Sequence, residues 1–365
     1  MKYLSTIPKF FAIILFSIVI YSCDIDENSN RLLVKASGTP GEIILVMDST
    51  QWKGELGKAI RETLLAYVPG VARPEKLFVI RYIEPTLFNS VLNKARNIIF
   101  VATLDSKTVG GETVRNFMTN NYIQDNPDKF IISQKDIYAS GQDAIYLFSA
   151  TAAELTEKIL KNKSTLVNFF NSKESDRLMH SLYVSNEEKA VSNYMTKNYG
   201  FSIRVPNGYR IEANDSAFVW LRSVGEIDKN IFMSYRDYTS DKIFKNSNLI
   251  GLRDSLTKRN VFEDPADMDS YIRADTTHLE TEFITTQFYG QYAKRIRGIW
   301  MANNLTIGGS FVSYVFVDES TNRLYYLDGF VVSPGKNKRE SLRELEVIIK
   351  TFQSPKEELK DQSTT

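Results

Sequence analysis

From Gly41 onward the chain alternates short continuous apolar runs with segments whose apolar residues recur every three or four positions. Residues 42–47, 77–83 and 97–103 are runs of the first kind, the pattern of strands buried on both faces. Between them Leu56, Ile60, Leu64 and Val68 fall at intervals of four and predict a helix that Pro69-Gly70 stops. Thr86, just after Pro85, is placed to cap a helix bearing Leu87, Phe88, Val91 and Leu92. Gly110-Gly111 opens another, with Val114, Phe117 and Met118 on one face. Segments 136–138 and 144–148 read as a hairpin around Ser140-Gly141, followed by a long helical stretch over 151–183. Strands alternating with helices predict a mostly parallel sheet covered by helices.

Near Asn193 the texture changes. Short strands of alternating polarity recur at 201–205, 217–222, 231–235, 283–288, 293–301, 310–317 and 324–332. One helix is predicted near 249–258, and an amphipathic helix carrying Leu342, Leu345, Ile348 and Ile349 closes the series. The expected fold class is therefore α/β plus α+β. An α/β domain is expected over 41–190, and over 193–353 an antiparallel-sheet sandwich with a closing helix. The polar tail, 354–365, is expected to be disordered.

The chain before Gly41 follows a different pattern. Lys2 and Lys9 precede a short apolar run, 10–21, and Ser22 stands before Cys23, the single cysteine. The run is shorter than the about 20 residues that cross a bilayer in helix. A charged start, a short apolar middle and a small residue at the cut mark a secretory signal over 1–22. With no second cysteine there is no disulfide framework and no thiolate metal site. The layout resembles a bacterial lipoprotein signal peptide, which implies that Cys23 is acylated (a palmitate-type modification) and anchors the mature protein in a membrane. That reading removes Cys23 from the catalytic candidates. Residues 23–40, opening with Asp24-Ile25-Asp26-Glu27, read as a flexible tether. An acidic leader of this kind resembles the export signal of Bacteroidota surface lipoproteins, which places the protein in the cell envelope at the outer membrane and leaves its face open.

Composition narrows the partners. With 45 Lys and Arg against 44 Asp and Glu, the chain lacks the basic footprint of a nucleic-acid-binding protein. Its 19 Tyr and 22 Phe suit strand-rich cores first and glycan-stacking surfaces second.

Candidate chemistry is sparse. His180 and His278 fall in different predicted domains, and neither HExxH nor G-x-S-x-G is present, so no catalytic residue is assigned. Gly38-Thr39-Pro40-Gly41 stands before the first strand, the wrong order for a phosphate-cradling loop, and Gly110-Gly111 lacks the accompanying lysine. Asp48-Ser49-Thr50 and Asp105-Ser106 end the first and third strands, where open parallel sheets place ligands. If those strands are neighbours, Asp48, Ser49 and Asp105 supply hard oxygen ligands for Mg²⁺ or Ca²⁺. The arrangement is similar to the metal-dependent adhesion site of von Willebrand A-type domains, with Trp52 in place of the second serine. The same residues read more simply as caps for the helix near Lys53. Asp264 with Asp267 and Asp318 with Glu319 are carboxylate pairs in polar, turn-like segments, where solvated loop charges are the simpler reading. Arg295 and Arg297 share one face of a strand, available to an anionic glycan, a partner or solvent.

Gly41-Glu42-Ile43 through Met47-Asp48, with Trp52, Gly54, Gly57 and Arg96-Asn97-Ile98, resembles an uncharacterised Bacteroidota lipoprotein family defined only as a domain of unknown function. Phe201 to Pro206 with Gly208-Tyr209, and 327–334 before the last helix, resemble the opening and ending of the PsbP/Mog1-like fold. Membership in that fold implies a binding or assembly module more than an enzyme. The resulting expectation is a membrane-anchored, non-enzymatic binding or scaffolding module for an envelope protein or glycan partner. The contrasting expectation is a metal-assisted hydrolase working from Asp48 and Asp105.

Overall fold

A computed structural model describes residues 33–118, 122–184, 186–262 and 269–354. Cys23 and the signal segment, Asp264, Asp267 and the tail beyond Ser354 lie outside the described residues.

The first half comprises β1 (Glu42–Met47), α1 (Ser49–Lys53), α2 (Glu55–Leu64), β2 (Val79–Ile83), β3 (Asn97–Thr103), α3 (Val109–Arg115), α4 (Tyr122–Asp125), β4 (Ile131–Lys135), β5 (Asp143–Ser149), α5 (Ala152–Lys161) and α6 (Lys163–Tyr183). Its sheet runs β2-β1-β3-β5-β4, parallel except for β4, which pairs antiparallel with β5. The central strands β1, β3 and β5 are buried on both faces because both faces are covered, whereas β2, expected to be buried likewise, and β4 are edge strands and largely exposed. Ile43, Leu45 and Met47 of β1 pack with Leu56 and Ile60 of α2 and Phe170 of α6. Ile44 and Val46 pack with Val114 of α3 and Ile123 of α4.

Local chemistry moved several expected boundaries. The helix expected to reach Val68 ends at Leu64, and Tyr67 instead forms a bridge with Lys76. The helix expected around Leu87–Leu92 is only two short 3₁₀ turns, Pro85–Leu87 and Leu92–Lys94. Between them the Asn89 side chain accepts from the Val91 and Leu92 amides, a local turn that competes with helix. The hairpin strand before Ser140-Gly141 is Ile131–Lys135 rather than 136–138, because Asp136, at φ 54°, turns the chain there. The single helix expected over 151–183 breaks at Asn162 into α5 and α6. The expected tether is docked from Val34 onward, with Ala36 donating to Ser140 and Ser37 to Lys94, each at 2.9 Å.

The second half comprises α7 (Lys189–Tyr199), β6 (Arg210–Asp215), β7 (Phe218–Ser223), β8 (Asp228–Asp237), α8 (Asn246–Asn260), β9 (Ile272–Asp275), β10 (Glu282–Phe288), β11 (Gln291–Ala302), β12 (Gly308–Asp318), β13 (Arg323–Val332) and α9 (Arg339–Ile349). All pairings are antiparallel, in the order β10-β11-β12-β13-β8-β7-β6, with β9 pairing the far end of β11. Met195 of α7 and Leu345 and Ile348 of α9 pack on one face of this sheet, and Leu249 of α8 on the other. Residues 201–205, expected as a strand, form only a bridge between Ser202 and Gln353.

The two halves share a core and a set of polar ties. Val68 and Val71, from the loop after α2, belong to the apolar cluster of the second sheet. Gly70, at φ 73°, lies so close to β11 that a Cβ there would sit 2.8 Å from the Gly298 amide. Arg339 of α9 donates to the carbonyls of Pro40, Lys76 and Leu77.

Candidate functional site

Two polar regions merit comparison. The first is the carboxyl end of the parallel sheet. Asp48, 2% exposed, follows β1 and caps α1, accepting from the amides of Thr50 at 2.9 Å and Gln51 at 3.1 Å. The Thr50 hydroxyl donates to the same oxygen, and the Thr108 hydroxyl to the other. Burial opposes ionisation of Asp48, but the hydrogen bonds from Thr108, Thr50 and Gln51 outweigh it and hold the carboxyl below its ordinary range. Ser49 is half-buried in the first turn of α1. β1 and β3 are neighbours, as the metal reading required. Asp105, however, is turned to its own tasks. One oxygen accepts from Thr103 at 2.6 Å, and the other from the Ala152 amide at the start of α5, at 3.0 Å. Asp48 and Asp105 are linked only through Gln51, whose side chain donates to Thr103 at 2.6 Å. Among the described residues no three His, Cys, Asp or Glu side chains are grouped to hold a metal ion.

The carboxylate that does approach Asp48 is Glu84, which follows β2. A Cβ on Gly110 would lie 2.2 Å from Glu84 Oε1 and 3.0 Å from Asp48 Oδ2, so the glycine leaves room for both acids. Tyr82 donates to Glu84 at 2.8 Å, and burial together with that carboxylate pushes the phenol pKa up. Two carboxylates over Gly110-Gly111 make that turn a poor anion site, and the Gly111 amide is already satisfied by Thr108 at 3.0 Å. Glu84 was legible in principle, since it ends the second expected strand just as Asp48 ends the first.

The second region is a cleft of about 550 Å³ between the two halves. Its C-terminal wall carries Arg295 and Arg297 of β11, Arg339 and Arg343 of α9, and Lys350. Arg295 donates one terminal nitrogen to Glu282 at 3.2 Å, and Arg297 one to Glu346 at 2.7 Å. Glu346 also accepts from Tyr314, at 3.3 Å. Burial works against its charge, yet Arg297, Arg295 and Lys350 keep its carboxyl below the ordinary range. The facing wall is α6, which presents Asn168, Asn171, Ser172 and Ser175. Those positions recur at three- and four-residue intervals and so form one stripe, opposite the buried Leu166, Phe170 and Glu174. Arg343 spans the walls, donating to Asn171 at 3.1 Å and to Glu340 at 2.7 Å.

Arg295 and Arg297 thus share one face, as their alternation predicted, and that face looks into the cleft. The α6 stripe was missed because Asn and Ser at helical spacing match no binding or catalytic motif. The histidines stay apart. His180 is exposed near the end of α6, and His278 bonds Asp275 at 2.7 Å in a surface turn after β9. Asp318 caps the β12–β13 turn, accepting from the Ser320 amide at 2.9 Å and the Thr321 hydroxyl at 2.9 Å. No helix among the described residues is long and apolar enough to cross a membrane.

No curated protein matches the chain. Among solved structures, the Saccharomyces cerevisiae Ran-binding protein Mog1p aligns at 12% identity over 43% of this chain and 92% of its own, with a TM-score of 0.28. A point mutant of Mog1 aligns at 11% identity over 42% of this chain and 89% of its own, with a TM-score of 0.27. Residues 36–183 match the model of one domain of unknown function, DUF8532, and residues 188–351 match that of another, DUF4837.

Proposed function

We propose that this chain is a lipoprotein of the Bacteroidota cell envelope, anchored at the outer membrane through acylated Cys23. It works without catalysis, as a binding or scaffolding module for a protein or glycan partner. The observation that carries the binding reading is the cleft between the halves. Its lining sets five cationic side chains against the acids Glu282, Glu346 and Asp176. A concave, partly apolar site with a few convergent polar groups is where ligands bind most often. The carboxyl end of the parallel sheet is, by contrast, largely occupied with capping helices.

A photo-crosslinking residue at Asn168 tests this in intact cells. One recurrent adduct that disappears in an Arg295→Glu background is the expected result. The same adducts in both backgrounds would remove the cleft from consideration. For the anchor, Cys23→Ala should abolish acyl labelling and release the protein from the membrane fraction; unchanged retention would contradict the lipoprotein assignment.

The approach of Asp48 and Glu84 over Gly110 favours a second reading, metal-assisted hydrolysis with Mg²⁺ or Ca²⁺. Its signature is a rise in unfolding temperature on adding either ion that vanishes in Asp48→Ala. No rise with either ion ends that reading.

A further inference from the structure

We infer that the cleft is built for an acidic saccharide, a chain of hydroxyl-bearing rings carrying carboxylates. The inference rests on the proposal that the cleft is the ligand site, and goes further by assigning each wall its own chemistry.

The arginine wall is pre-oriented. Arg295 and Arg297 each commit one terminal nitrogen to a glutamate, which anchors the guanidinium in the cleft wall. The other terminal nitrogen of each makes no hydrogen bond with the described residues and is not buried. An anchored guanidinium with one free terminal nitrogen suits a carboxylate, since charge-assisted hydrogen bonds are stronger than neutral ones. Lys350 adds a cation with no hydrogen bond from its amine to any described residue.

The α6 wall carries one acid, Asp176, and is otherwise a stripe of neutral polar groups. The side chains of Asn168, Ser172 and Ser175 make no hydrogen bonds with the described residues, and all three line the cleft. Amides and hydroxyls both donate and accept, which matches the two-way bonding of sugar hydroxyls, whereas a simple polyanion can use only their donors. An acidic peptide fits less well. Added-strand recognition needs a free sheet edge, and β11, which bears the arginines, is paired on both sides by β10 and β12.

Calorimetric titration of the purified full-length protein separates these possibilities. The probes are trigalacturonate, the neutral galactotriose and an end-capped triglutamate. Trigalacturonate should saturate a single site, with galactotriose and triglutamate each binding at least tenfold more weakly. Arg295→Gln should weaken trigalacturonate at least tenfold, and Ser172→Trp should abolish binding by filling the cleft. Both variants should still fold and unfold in a single cooperative transition. Equal affinity for triglutamate and trigalacturonate would overturn the saccharide assignment while leaving a binding cleft intact. No binding of trigalacturonate would also overturn it, and the crosslinking result at Asn168 would then stand or fall separately.

Discussion

Glu75, in the loop before β2, caps the helix that begins at Arg339 in the other half of the chain. One carboxylate oxygen accepts from the Lys338 amide at 2.6 Å and the other from the Arg339 amide at 2.9 Å. The cap residue Lys338 supplies no side-chain acceptor of its own. Glu75 is 7% exposed, so water is a poor substitute for it. Glu75→Ala should cost about 1–2 kcal/mol, the ordinary worth of an N-cap, and Glu75→Gln less. Urea unfolding checks this; an unchanged midpoint for Glu75→Ala would show that the halves do not depend on this tie.

Arg253 of α8 and Asp328 of β13 form an ion pair that is fully buried, at 2.9 Å. Ser313 also donates to Asp328, and the guanidinium lies 3.9 Å from the centre of the Phe311 ring. Removing one partner leaves the other charged and unpaired in the core. Asp328→Ala should therefore cost about 3–5 kcal/mol, whereas the double variant Arg253→Met, Asp328→Leu should recover most of that loss. Denaturant titrations of the three proteins decide it, and a single variant as stable as the parent would contradict the pairing.

Gly57 lies where α2 passes α1. A Cβ there would sit 2.0 Å from the Trp52 carbonyl oxygen, and backbone cannot step aside as a side chain can. Alanine would gain about 1 kcal/mol in helix propensity, but the overlap costs about 1–3 kcal/mol or more. Gly57→Ala should therefore lower the unfolding temperature. A rise would mean that propensity wins at this position.

Asp275 gives the fold an acid-sensitive point. Burial opposes its charge, but bonds from Thr277 and His278 prevail and hold its pKa at about 2, against an ordinary 3.8. A carboxyl depressed on folding stabilises above its unfolded pKa, and that contribution is lost as pH falls through the folded one. The stabilisation should thus be complete above about pH 4 and gone near pH 2, amounting to about 2 kcal/mol. Stability measured against pH for the parent and Asp275→Asn should converge across that window. Parallel curves would assign the effect to other groups.

Much of this fold was legible from periodicity. Residues 97–103 and 42–47 became β3 and β1 because continuous apolar runs fit strands covered on both faces. The antiparallel strands of the second half followed their alternation. What failed was local chemistry competing with periodicity: Asn89 bonding its own backbone, Asn162 breaking a helix, and Val68 leaving its helix to fill the other half's core. β6, β9 and α7 were missed because each carries little pattern: β6 is largely exposed, β9 is only four residues long, and α7 buries only Met195 and Tyr199. Asp48 and Asp105 were correctly placed at neighbouring strand ends, and the cap reading of Asp48 matches its bonds to α1, but the sequence does not show that Asp105 would divide its oxygens between Thr103 and the start of α5. The cleft was least legible, since it needs two segments far apart in sequence that no pattern in the chain pairs.

α6 reaches the cleft with its rotation already set. Glu174, on its inner face, is gripped by Asn97 at 2.7 Å, Arg177 at 2.9 Å and Arg96 at 3.1 Å. A helix turns about 100° for each residue of slippage. A single-residue shift would therefore swing Asn168 and Ser172 away from the arginines opposite. Glu174 works as a key in a shaft, and the alignment of a surface groove is set by an ionic lock buried behind it.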